Sequence, residues 1–108
     1  MKYLTYAREK LGLAVDALVG PQPSYRQRML DAYRHWHVLD PNNLPDDLAE
    51  EIRRLRDAIS WLPPSDEEPD EGSIEETLRE MSAEEYKELA QLIVRLFEKV
   101  VERAAAQR

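Results

Sequence analysis

Leu4, Ala7, Leu11, Ala14 and Leu18 recur at steps of three and four between Tyr3 and Val19. That spacing lines one stripe of an α-helix, so the pattern predicts a helix over 3–19. Gly20 followed by Pro21 reads as its stop, because glycine accepts the left-handed conformation after a helix and proline cannot extend one. Gly12 lies inside the helix, where glycine costs about 1 kcal/mol against alanine, and so marks a close approach of a second helix.

Ser24 with Gln27 three residues on forms a capping-box signature and opens a second helix over 24–39. Met29, Tyr33 and either Trp36 or His37 make its apolar side, with Leu30 beside them. Asp40-Pro41 ends it, since the residue before proline is pushed out of the helical region. Asp40 is also placed to cap a short turn that has Pro41 at its first position.

The third helix, over 45–62, carries the clearest stripe: Leu48, Ile52, Leu55, Ile59 and Leu62. Asp46, Asp47, Glu50 and Glu51 come early and Arg53, Arg54 and Arg56 later, the order that the helix dipole favours. A proline-containing acidic linker, 63–72, follows. Ser73 with Glu76 starts a short helix over 73–81 containing Ile74, Leu78 and Met81. Ser82 with Glu85 starts the last helix, over 83–104, whose stripe is Tyr86, Leu89, Ile93, Leu96, Phe97 and Val100.

No segment alternates with a period of two, so no strand is predicted. The expected fold class is all-α: one domain, 1–108, a small bundle of four main helices plus one short helix sharing a core. Short connections at 20–23 and 40–44 place the first three helices as antiparallel neighbours.

Composition narrows the chemistry. The 108 residues include 22 acidic and 15 basic side chains, a net charge of -7, and no cysteine. Disulfides, thiol nucleophiles and thiolate metal sites are thereby excluded. The longest uncharged run, Ala17 to Tyr25, is nine residues, too short to span a bilayer. Lys2, Arg8, Glu9 and Lys10 interrupt any signal-peptide apolar region, which makes a cytoplasmic location the expectation.

His35 and His37 are the only imidazoles and point about 200° apart on a helix, so they cannot share one ion. His35 with Asp31 is an i, i+4 pair. Di-iron bundles need glutamate three residues before histidine, but Ala32 and Arg34 hold those positions. Asp47 with Glu50 and Glu85 with Glu88 have the spacing of magnesium-holding acid pairs. In so acidic a chain such pairs arise without function, and Asp47 sits where the helix dipole favours an acid. The expectation is no metal and no cofactor. The three glycines are isolated, leaving no phosphate loop, and Ser24, Ser73 and Ser82 serve as helix caps rather than nucleophiles.

Arg28 followed after six residues by His35 resembles the paired residues of HEPN-class helical ribonucleases. The resemblance implies that Arg28 would stabilise phosphate charge and His35 would move a proton. It departs from that pattern in having Met29 after the arginine, and the alternative is a solvated face of Arg26, Arg28, Arg34 and His35.

Residues 1–64 balance nine basic against nine acidic side chains, whereas residues 65–88 hold eleven acids and two bases. Nucleic acid requires a positive stripe, so the charge pattern speaks against it. The acidic stretch suits a basic protein surface instead, as in an acidic antitoxin-like or inhibitor protein using residues 65–88. Asp66, Glu67, Glu68, Asp70 and Glu71 precede any helix start and are the candidate contact acids. Tyr25, Tyr33 and Trp36 join them as candidate interaction residues, because tyrosine and tryptophan favour interfaces. Trp61 reads as a seal at a helix end.

The runs Ala14-Val15-Asp16-Ala17-Leu18, Arg28-Met29-Leu30-Asp31-Ala32-Tyr33 and Asn43-Leu44-Pro45-Asp46-Asp47-Leu48, with the stretch from Glu71 to Phe97, resemble a group of small uncharacterised bacterial all-helical proteins. The resemblance implies a helical bundle and carries no activity or site. The functional expectation is a non-enzymatic bacterial interaction module that dimerises or docks on a protein partner, without membrane or nucleic acid.

Overall fold

The computed structural model describes residues 2–59 and 77–106. Among them are four long helices and no strand: α1 (Lys2–Leu18), α2 (Tyr25–Trp36), α3 (Asp46–Ile59) and α4 (Ala83–Ala106). A 3₁₀ turn, Pro41–Asn43, precedes α3, and residues 77–79 are helical ahead of α4. The chain is an all-α bundle. The linker 63–72, Trp61, Leu62, Ile74 and the Ser73–Glu76 pair lie outside the described residues.

The stripes become the core. Leu4, Ala7, Leu11, Ala14 and Leu18 of α1 meet Met29, Ala32 and Trp36 of α2, with Leu48, Ile52, Leu55 and Ile59 of α3. Leu89, Ile93, Leu96 and Val100 of α4 close it, and Leu78 and Met81 pack on the same cluster. Burial of these aliphatic side chains, at about 25 cal/mol per Å² of apolar surface, is the main force holding the helices together.

Chain connections differ from the expected antiparallel succession. α1 packs on α2 and α4, but α3 packs chiefly against α4 and the 3₁₀ turn rather than against α2. Two ion pairs join α3 to α4: Asp47 accepts from Arg103, and Glu51 accepts from Lys99 at 3.1 Å. Both are exposed or rim-placed. They set the two helices antiparallel.

α2 ends at Trp36, three residues before its expected limit at 39. His37 closes the last turn by donating to the Tyr33 carbonyl at 2.9 Å, and Leu39 donates to Trp36 in a tighter 3₁₀ bond. Carbonyls at such an end need donors. Arg56 of α3 supplies them, reaching Leu39 O at 2.8 Å and His37 O at 3.4 Å. Leu39 itself turns into the core. Asp40 caps the 3₁₀ turn as expected, accepting from the Asn42 amide at 2.9 Å.

α1 stops without a left-handed glycine, contrary to expectation: no described glycine has positive φ. Val19 and Gly20 instead donate to Asp16 and Ala17 in 3₁₀ bonds. The glycine at 20 answers a different need, since a Cβ there would stand 3.2 Å from the Ala17 carbonyl oxygen. Gly12 does mark a helix approach. A Cβ on it would meet Cε2 of Phe97 in α4 at 3.4 Å.

At α2 the Ser24 hydroxyl accepts from the Gln27 amide at 3.1 Å, while the Gln27 side chain faces that hydroxyl rather than the Ser24 amide. At α4 the capping box is complete: Glu85 N–H donates to Ser82 Oγ and Ser82 N–H donates to Glu85 Oε1, each at 3.1 Å.

Candidate functional site

The expected interaction residues scatter. Trp36 is fully buried (0 % exposed) within the core, so it belongs to the packing and not to a surface. It packs inward with Met29 and Ala32 of the same helix. Tyr33 is half-buried, edge-on to Trp36 at 5.1 Å and stacked on the exposed His37 at 4.9 Å. Tyr25 is half-buried at the start of α2. Asp66, Glu67, Glu68, Asp70 and Glu71 lie outside the described residues.

Of the ribonuclease-like pair, both members lie on α2 and both are half-buried. Arg28 donates to the Gln22 carbonyl at 2.9 Å and so ties the α1–α2 connection to the first turn of α2. Of the acid pairs, Asp47 holds Arg103, Glu50 holds Arg54 at 3.3 Å, and Glu85 caps α4. The Arg103 hydrogen bond lowers the Asp47 pKa below the ordinary carboxylate value. Among the described residues no three histidines or acids gather as metal ligands. Nor is any described helix long and apolar enough to cross a membrane.

What the sequence did not announce is a knot around the Met81 carbonyl. Tyr25 Oη donates to it at 3.0 Å and Arg26 Nη2 at 3.1 Å. The Arg26 guanidinium lies 4.9 Å from the centre of the Tyr25 ring, and that ring lies 5.3 Å from the ring of Tyr86. Tyr86 in turn donates to Leu18 O, the last residue of α1, at 3.0 Å. Capping letters and stripes carry no trace of these bonds, because they join positions more than fifty residues apart.

Among the described residues, three open grooves border this knot. The largest, about 590 Å³, is lined along α4 by Tyr86, Ala90 and Val94, with Lys87, Gln91 and Arg95 beside them. A second, about 260 Å³, lies between α2 and the turn before α4: Leu30 and Leu78 are its apolar members, and Arg26, Gln27 and Arg79 its polar ones. The third, about 130 Å³, joins Ala58 of α3 to Met81, Leu89 and Leu92, bordered by Glu85 and Glu88. None of the three includes Arg28 or His35.

Aliphatic surface with isolated polar ends can bind another chain. The chain matches no protein-family model, no curated protein and no solved structure.

Proposed function

We propose that this chain is a non-enzymatic protein-interaction module of a bacterial cytoplasmic protein, and that it docks on a protein partner through α4. The observation that carries this reading is the groove along Tyr86, Ala90 and Val94. Three half-buried residues at steps of four make an apolar strip along one face of the helix, which a partner's apolar side chains can extend. Lys87, Gln91 and Arg95 supply the polar border that such faces carry.

The arginine–histidine reading gains no support from the geometry: Arg28 donates to the Gln22 carbonyl, and neither Arg28 nor His35 is among the described residues lining the three grooves. The docking reading is tested by Ala90→Glu, which puts a charge in the middle of the strip. Proteins cross-linked to the wild-type chain in its host should be lost from the variant, while its thermal melt shifts by no more than a few degrees. Sedimentation of the purified chain separates self-association from capture of another protein. Identical cross-linking by both forms would remove α4 as the docking face.

A further inference from the structure

We infer that the groove between α2 and the turn before α4 receives an acidic segment of a partner protein, one in which carboxylates stand next to aliphatic side chains. This rests on the docking reading and names the partner's chemistry.

The chain has 22 acids against 15 bases, yet none of the described residues lining the two larger grooves is acidic. Four are basic: Arg26 and Arg79 in one, Lys87 and Arg95 in the other. The two grooves are linked through contacts, because Arg26 packs on Tyr25 and Tyr25 on Tyr86.

Arg26 is held ready. One Nη2 bond to Met81 O and the Tyr25 ring fix its plane, leaving other N–H groups of the fork for a ligand. Such pre-positioning lowers the entropy lost on binding. Arg79 is exposed and has no hydrogen bond or ion pair among the described residues. Gln27 adds an amide, and Leu30 and Leu78 provide apolar surface between the two guanidiniums. Guanidinium forks match carboxylates in plane and spacing, and the leucines favour an aliphatic neighbour.

A second copy of the chain fits poorly. Antiparallel pairing of two α4 helices centred on Gln91 would set Lys87 of one copy against Arg95 of the other. Like charges brought face to face disfavour that arrangement.

The test titrates the full-length ¹⁵N-labelled chain with a blocked peptide of alternating leucine and glutamate, followed by NMR. Saturable shifts should centre on the amides of Arg26, Gln27, Leu30, Leu78 and Arg79. Arg79→Gln should weaken binding about tenfold, the usual worth of one charge-assisted hydrogen bond. Arg53→Gln, an exposed arginine outside the groove, should leave it unchanged. Because Arg26 also supports Met81, Arg79→Gln decides the outcome. A glutamine-for-glutamate peptide that binds equally, sodium phosphate that reproduces the same shifts, or the absence of shifts at these residues would each overturn the inference. A cross-linked partner lost in Ala90→Glu but indifferent to Arg79→Gln would remove this groove as the seat of an acidic segment and leave the docking reading standing.

Discussion

The ring of Phe97 in α4 lies against the backbone of Gly12 in α1, close enough that an added Cβ would stand 3.4 Å from its Cε2. That is ordinary van der Waals contact. Gly12→Ala should therefore gain most of the helix-propensity difference, about 0.5–1 kcal/mol, and raise the melting temperature. Gly12→Leu should lower it, since the larger side chain must displace Phe97. Equal effects of the two substitutions in thermal melts would show that the helices do not approach here.

Trp36 presents a different balance. It is fully buried, and its indole Nε1 has no hydrogen-bond partner among the described residues. Trp36→Ala should cost about 3–5 kcal/mol by opening a large cavity. Trp36→Phe should cost much less, because the lost volume is smaller and an unsatisfied buried donor goes with it. Urea denaturation of the two variants measures the difference.

Arg56 acts as a cap supplied from another helix. Arg56→Met keeps much of the aliphatic stem but removes the donors to Leu39 O and His37 O. A loss of about 1–2 kcal/mol is expected, with faster hydrogen exchange at the end of α2. Arg56→Lys should recover only part of it, because one ammonium cannot reproduce the fork.

Asp47 gives stability a pH dependence of known sign. The Arg103 bond lowers its folded pKa below the unfolded value, so the contribution is present above the ordinary carboxylate range and is lost as pH falls through the folded pKa. NMR titration should find the Asp47 carboxyl depressed, and Arg103→Gln should return it toward normal. The pair is exposed, so salt should weaken it.

The long stripes were legible because burial there follows a local period. Leu4 through Leu18 and Leu48 through Ile59 are buried as their spacing predicts. Ala32 escaped notice, since a methyl group gives a weak apolar signal, yet it is as buried as Met29. The end of α2 escaped for another reason: Arg56, seventeen to nineteen residues on, stabilises carbonyls that no local rule satisfies. Trp36 and His37 were equal candidates by spacing, and only the packing places the indole inside. The groove beside α2 escaped entirely, because Leu30 and Leu78 come to line it only after the chain folds.

Asp47 and Glu51 are four residues apart, and so are Arg95, Lys99 and Arg103. Sliding α4 by one helical turn would bring Lys99 to Asp47 and Arg95 to Glu51, again opposite charges. The electrostatic ladder is thus degenerate, like a ruler whose marks repeat every 6 Å or so. It fixes which helices meet and in what direction, but not how far along. That coordinate is set by α1, where the Phe97 ring finds the missing side chain at Gly12 and the Tyr86 hydroxyl finds Leu18 O. Repeating charges choose the neighbour; unrepeated shapes choose the position.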